Sequence, residues 1–315
     1  MSVTVVGSIN IDTVAVTDVY PERGQTIFGK KIEYFPGGKG ANQATAVARL
    51  GKPVNMIGAV GQDLYGDKLI HSLQDSKVDT HFIKRSETFA TGTAIITIDQ
   101  TAENTMLVLK GANDDLRIND IESAFNQIDA SDVLLVQMEV PQETVIRSME
   151  MAKEKGMYVV LDPAPAEGIT VKALDYADII TPNQQETYHM LGVDVTDIDS
   201  ALEAAEIFEG MGVSNSIIKM GAHGSVVYQK GNWEYIEPIS VKAVDSVGAG
   251  DAFAGALACA ISDGYDTFSA ARFATVVGAL KVTKLGAQVG IPTIDEVNAF
   301  CRERGLTKHQ LKKTV

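Results

Sequence analysis

Several short segments place reactive residue types at spacings that let them act together. Asp245-Ser-Val-Gly-Ala-Gly-Asp251 is followed by the small, apolar run Ala252–Ala260. Gly248 and Gly250 permit a tight turn, and with Ala249 and Asp251 they offer main-chain N–H groups at the start of a helix. Such a nest binds an anion, or an anionic transition state, without a basic side chain. Asp251 in the first turn is either an N-cap or an acid that holds and deprotonates a hydroxyl nucleophile.

Gly37-Gly-Lys-Gly-Ala-Asn-Gln43 likewise runs into an Ala-rich helix over Ala44–Leu50. It is not a GxxxxGK[ST] phosphate loop, because Gly40 follows Lys39. It is either a tight strand–helix junction or a polyol cradle in which Lys39 and Asn42, next to Gly38, bond hydroxyl groups. Gly7-Ser-Ile-Asn-Ile-Asp12 ends the first strand, the position where doubly wound sheets collect ligands. Asn10 and Asp12 alternate onto one face there, as an Asx-capped turn or as sugar-binding groups. In Thr181-Pro-Asn-Gln-Gln-Glu186, Asn183 and Glu186 have capping-box spacing, which is compatible with a role toward magnesium through water. The loop Lys219, Met220, Gly221, Ala222, His223 and Gly224 follows a strand and can bend around a nucleotide, with His223 a loop residue rather than a catalyst.

These segments need a scaffold, and the pattern along the chain supplies one. Val3–Val6, Val54–Ile57, Val133–Val136, Tyr158–Leu161, Ile179–Thr181 and Ile217–Lys219 read as strands buried on both faces. Amphipathic stretches over Gly66–Gln74, Gln142–Lys155, Ser200–Gly210 and Asp251–Ile261 alternate with them. Alternation of this kind predicts a doubly wound, mainly parallel α/β sheet with helices on both faces. Thr13–Val16 with Thr26–Tyr34, and Thr93–Ile98 with Asn104–Leu109, lack intervening helices and read as antiparallel pairs. They suit a small projecting sheet, such as a lid, which needs a partner surface. The polar tail after Gly305, with Lys308, Lys312 and Lys313, reads as a solvated helix end.

Composition narrows the function classes. The 315 residues are 45% hydrophobic and 22% charged, enough for a sizeable core and incompatible with wholesale disorder. The 41 acidic and 27 basic residues give a net charge of −14, which argues against general affinity for nucleic acid or anionic membranes. Cys259 and Cys301 are too few for a disulfide framework, and the five histidines lack zinc-site spacing. No run approaches the ~18 apolar residues of a transmembrane span. Met1–Gly7 has no basic n-region and reads as a strand rather than a signal peptide. A cytoplasmic protein is expected.

Together these residues resemble the ribokinase/PfkB family of carbohydrate kinases over nearly the whole chain. Its two signatures are the paired-glycine motif, here GGKGANQ over residues 37–43, and the D-x-x-G-A-G-D motif, here residues 245–251. GSINID at 7–12 and Met-Glu-Val-Pro at 138–141 add to the match. The resemblance implies transfer of the ATP γ-phosphoryl group to O5 of D-ribose, with Asp251 as base and the 248–251 amides as anion hole. It further implies sugar contacts from Asn10, Asp12, Gly38, Lys39, Asn42, Glu139 and Asp251. The nucleotide would be lined by Asn183, the Lys219–Gly224 loop, Gly250 and Thr275, with Glu186 organising Mg2+ through water.

The resemblance also implies a monovalent cation, K+, held by Asp245 with carbonyls of Val247, Lys281, Lys284 and Gly286, plus Gly290. This chain departs at two of these positions: where a serine is familiar, Gly290 can offer only its carbonyl, and where a small residue is common, Lys281 adds a positive charge on a nearby side chain. The lid strands would pair two subunits into a homodimer. The alternatives are a family kinase for 2-deoxyribose or a nucleoside, and a catalytically silent sugar-binding homologue. An aspartate at a helix N-terminus is expected to have a lowered pKa, tolerable where phosphoryl transfer is loose and the proton leaves late.

Overall fold

The structure is a computed structural model and describes residues 2–100, 104–128, 131–168 and 171–306. The lysines of the polar tail lie outside the described residues.

The chain begins with strands β1 (Val3–Val6), β2 (Asn10–Val16) and β3 (Lys31–Gly37), helix α1 (Lys39–Arg49) and strand β4 (Val54–Gly61). Helix α2 (Leu64–Asp75) follows, then β5 (Ile83–Ser86), β6 (Gly92–Ile98), β7 (Asn104–Leu109) and α3 (Ile118–Gln127). The middle of the chain holds β8 (Val133–Val136), α4 (Gln142–Glu154), β9 (Tyr158–Leu161), α5 (Val171–Leu174), β10 (Ile179–Ile180), α6 (Gln184–Leu191) and α7 (Ile198–Gly210). The last elements are β11 (Asn215–Lys219), β12 (Ser225–Gln229), β13 (Asn232–Ile236), α8 (Ala249–Ser262), α9 (Thr267–Lys281) and α10 (Ile294–Glu303).

Nine strands form one sheet in the order β13-β12-β11-β10-β9-β8-β1-β4-β5. All neighbours are parallel except the β11–β12 and β12–β13 pairs at one edge. The antiparallel edge was not expected from the sequence; β12 and β13 pair this way because the turn at Lys230–Gly231 is too short for the crossover a parallel pair needs. Period-two alternation splits the core between the two faces. Val3, Val5, Val133 and Leu135 face Ala44, Val47, Ala252 and Ala256 of α1 and α8. Val6, Leu134 and Val136 face Phe125, Met149 and Phe208 of α3, α4 and α7.

The small residues of α8 let it press against α1. A Cβ on Gly255 would come within 2.6 Å of the Ala46 Cβ. This close packing carries the start of α8 up to the start of α1.

A second, small sheet of order β3-β2-β6-β7 is built from the segments expected to form a lid. β2 pairs antiparallel with β3 and β6 with β7, as expected, while parallel pairing of β2 with β6 joins the two hairpins. The β3 strand begins at Lys31, so Thr26–Lys30 is not strand as the sequence had suggested. Ile32, Tyr34, Ile95, Met106, Leu107, Val108 and Leu109 remain exposed on this sheet.

Candidate functional site

Asn10 and Asp12 lie at the start of β2, where the chain leaves the large sheet for the lid. Asn10 is buried and its Oδ1 accepts a 2.7 Å bond from Asn113 Nδ2. Gly38 packs on this segment with φ +87°, and a Cβ there would lie 2.7 Å from the Asn10 N and 2.8 Å from the Ser8 O. That crowding explains the paired glycines better than turn propensity alone. Lys39 opens α1, and its main-chain N–H donates to Glu139 Oε2 at 3.3 Å. The Ser8 hydroxyl donates to the same carboxylate oxygen.

Asp251 sits in the first turn of α8, 6% exposed. Asn42 Nδ2 donates to its Oδ2 at 2.8 Å and Gln43 Nε2 to its Oδ1 at 3.3 Å. Gln43 also donates to Asp162 Oδ2 at 2.8 Å, and Gln137 Nε2 holds the Gln43 Oε1 at 2.6 Å. Asp162 in turn accepts from Lys219 Nζ at 3.2 Å. A Cβ on Gly250 would lie 3.9 Å from that same ammonium, which brings the 219–224 strand end beside the α8 turn. One polar network therefore links the Gly38 cradle, the α8 N-terminus and the end of β11.

Gly248 has φ +78° and caps α8. The Gly250 and Asp251 N–H groups belong to a first helical turn, which offers no intrahelical acceptor. The Ala249 N–H, expected to join the anion nest, donates instead to the Ser246 O at 3.1 Å.

The electrostatics follow from five carboxylates and two ammonium groups in one place. Burial pushes Asp12 up to about 7, with Glu139 and Asp251 adding repulsion. Burial likewise raises Asp251, opposed by Lys39 and the Asn42 bond and reinforced by Asp162 and Glu139. This reverses the lowered value expected from the helix N-terminus. The dipole contributes about 0.3–1 kcal/mol, whereas full burial shifts a carboxylate by up to several pH units. Burial alone would lower Lys39, but Asp251, Asp162, Glu139 and Glu186 hold it above its ordinary value. Glu186 is raised by burial, with Lys219 pulling back.

Asn183 and Glu186 form the capping box of α6, with Asn183 N donating at 2.7 Å and Glu186 N at 2.8 Å. Asn183 also pairs through the main chain with Lys219, so the capping box faces the same network. The two carboxylates Glu186 and Asp162 suit Mg2+ that keeps most of its waters, the usual mode for that ion beside substrate phosphates. No group of three or more chelating side chains occurs among the described residues.

The residues expected to line the nucleotide divide. Gly221, Ala222 and His223 form an exposed turn closed by Gly224, and the His223 carbonyl accepts from the Tyr235 hydroxyl. Met220 departs from expectation, since its side chain is buried in the core. The Thr275 hydroxyl donates back to the Ala271 O within α9.

The residues expected to hold K+ also gather, but not as expected. Asp245 Oδ1 accepts from Val247 N at 2.9 Å and Oδ2 from Gly286 N at 2.8 Å. Lys281, expected to give a carbonyl, places its Nζ 3.0 Å from the Asp245 O, 3.4 Å from the Lys284 O and 3.7 Å from Asp245 Oδ2. A potassium ion does not fit beside it, because two unit charges ~4 Å apart repel by about 4 kcal/mol at a dielectric of ~20. At Gly290 a Cβ would lie 2.6 Å from the Gly286 O, which explains the glycine where serine is familiar.

Asp162, Gln43, Gln137, Ser8 and Asn113 were not singled out. Gln43 lies inside the paired-glycine motif, and Asp162 ends a buried strand on the ligand-collecting side of the sheet; both signals were present.

The family model for pfkB family carbohydrate kinases matches residues 1–294. The chain is 38% identical to the ribokinase of Haemophilus influenzae, over 95% of this chain and 98% of that one. It is 32% identical to the deoxyribokinase of Salmonella typhi, over 95% and 98%. The Arabidopsis thaliana ribokinase structure complexed with ribose and ATP superposes with a TM-score of 0.87 at 28% identity, over 95% and 98% of the two chains. A match of this extent, on a fold that gathers the two glycine motifs around one buried aspartate, shows that the chain belongs to the pfkB family of carbohydrate kinases, enzymes that transfer a phosphoryl group to an alcohol.

Proposed function

We propose that this protein transfers the γ-phosphoryl group of ATP to O5 of D-ribose, giving ribose 5-phosphate and ADP. The observation that carries the reading is the Asp251 carboxylate, buried where the polyol cradle of α1 meets the first turn of α8 and held there by Asn42 and Gln43. In this reading Asn10, Asp12, Gly38, Lys39, Asn42 and Glu139 bind the sugar hydroxyls. Asp251 accepts a hydrogen bond from O5–H, and its raised proton affinity suits it to take that proton. The bond from O5 to the γ-phosphorus forms, the bond to the β–γ bridging oxygen breaks, and the O5 proton passes to Asp251. In a loose transition state the proton moves late, so orientation is the main requirement.

The Gly250 and Asp251 amides, with Gly248 shaping the turn, stabilise the charge on the transferring group. Lys219 reaches the nucleotide phosphates, while Asn183, Gly221–Gly224 and Thr275 border the base and ribose of ATP. Mg2+, held through water by Glu186 and Asp162, would neutralise charge on the phosphates. The chain acts as one α/β kinase domain whose lid, near 13–35 and 93–109, shields the site from water. The apolar residues exposed on the lid support pairing of two subunits there.

The deoxyribokinase relative supports a second reading, a kinase for 2-deoxyribose. An ADP-release assay across pentoses, hexoses and nucleosides separates the two. If Asp12 accepts bonds from adjacent hydroxyls, loss of O2 costs about 1–3 kcal/mol, so kcat/KM for 2-deoxyribose is expected roughly 5- to 150-fold below ribose. Equal use of both sugars refutes the ribose assignment, and absence of any sugar-dependent ADP release refutes the kinase reading.

A further inference from the structure

We propose that the Lys281 ammonium is a tethered replacement for the monovalent cation behind the α8 turn, so that this protein works without potassium. The proposal rests on the reading of the 248–251 turn as the phosphoryl-binding nest. Lys281 is the last residue of α9 and is fully buried; desolvation there favours the neutral amine, and the Asp245 charge beside it opposes that by favouring the ammonium. Its ammonium donates to the Asp245 carbonyl at 3.0 Å and the Lys284 carbonyl at 3.4 Å and stands 3.7 Å from the Asp245 carboxylate as an ion pair, so it meets groups of two of the residues expected to hold the cation.

The geometry behind the turn shows what this charge does. The Asp245 carboxylate ties the N–H of Val247 to the N–H of Gly286, so it joins the segment entering α8 to the loop after α9. That loop supports the nest directly, since a Cβ on Gly248 would touch the Ala287 Cα at 3.1 Å. Lys281 neutralises the carboxylate and holds the two segments together from beneath. It is a positioning residue, acting on the amides through Asp245.

The two departures from the family pattern act in the same direction. Lysine at 281 adds a fixed positive charge. Glycine at 290 removes a side-chain ligand and lets the Lys284, Leu285 and Gly286 carbonyls close to within 3.1 Å of the position its Cβ would take.

The experiment compares the wild type with K281A and K281M in potassium-free tetramethylammonium buffer, titrating KCl and, separately, methylammonium chloride. Wild-type kcat and melting temperature are expected to stay flat, within about twofold in kcat. K281A opens the pocket, so its kcat is expected to fall at least about tenfold and to recover with potassium or methylammonium, with a matching rise in melting temperature. K281M fills the same volume without charge and is expected to lose activity with no rescue. Wild-type activation of several-fold by potassium overturns the proposal, as does a folded K281A that neither cation rescues or stabilises. If K281A does not fold, the wild-type titration and K281M decide. The melting shifts need no sugar, so they test Lys281 even if the kinase reading itself fails.

Discussion

Asp12→Asn tests whether the buried carboxylate at the start of β2 costs the fold stability. Asp12 has a folded-state pKa of about 7 against an ordinary 3.8, from burial and the Glu139 and Asp251 charges. The folded protein therefore binds the Asp12 proton more tightly than the unfolded chain does. Below about pH 4 both states are protonated and the group contributes nothing to the pH dependence. Between pH 4 and 7 the unfolded chain gains by ionising while the folded one does not, so stability falls as pH rises. Above pH 7 both are ionised and the loss levels off. A gap of about 3 pH units at 1.36 kcal/mol each gives an upper figure of about 4 kcal/mol.

Asparagine keeps the shape and removes the charge. The variant should match the wild type near pH 4 and gain with pH, melting roughly 4–8 °C higher at pH 8, while kcat/KM for ribose falls sharply. Differential scanning fluorimetry of both proteins without sugar, from pH 4.5 to 8.5, reads this directly. A melting difference that does not change with pH would refute the argument, since it would mean that Asp12 is solvated or paired in the folded state.

Asp251→Asn should leave folding and ATP binding largely intact and lower kcat by roughly 10²–10⁴-fold, the range for a general base; near-normal steady-state kcat removes Asp251 from that role. Gly38→Ala would force a Cβ to 2.7 Å from the Asn10 N at φ +87°, so a loss of about 1–3 kcal/mol is expected in urea unfolding. Its KM for ribose should rise as Asn10 shifts, and unchanged stability would show that the segment yields without cost. Light scattering at micromolar concentration should report about twice 33.7 kDa if two lids pair to cover their apolar residues. A stable monomer would contradict the lid-pairing proposal.

Much of the scaffold could be read directly, for a local reason. Runs such as Val3–Val6 and Val133–Val136 are buried on both faces, so their composition alone marks them as central parallel strands. The two glycine motifs were equally legible, because a positive φ at Gly38 and Gly248 admits little but glycine. The edge hairpin β12–β13 was missed, since half-exposed strands such as Asn232–Ile236 lack that signature.

What the tertiary structure decided is how charges meet. Asp251 belongs to a first helical turn in sequence, and that alone predicts a lowered pKa. The packing of α1 on α8 seals it from water and reverses the sign, because desolvation depends on every neighbouring element and not on the local helix. Asp162 and Lys219 are 57 residues apart and pair only because β9 and β11 end side by side around β10. Lys281 shows the same limit most plainly. The sequence offered its carbonyl and an added positive charge nearby, and only the fold turns the long side chain inward between the Asp245 and Lys284 carbonyls. Residue type and spacing determine which groups are available and which backbone turns are possible. Burial and the direction of a flexible side chain are set by contacts across the whole fold, and these determine the charge each group carries and the partner it meets.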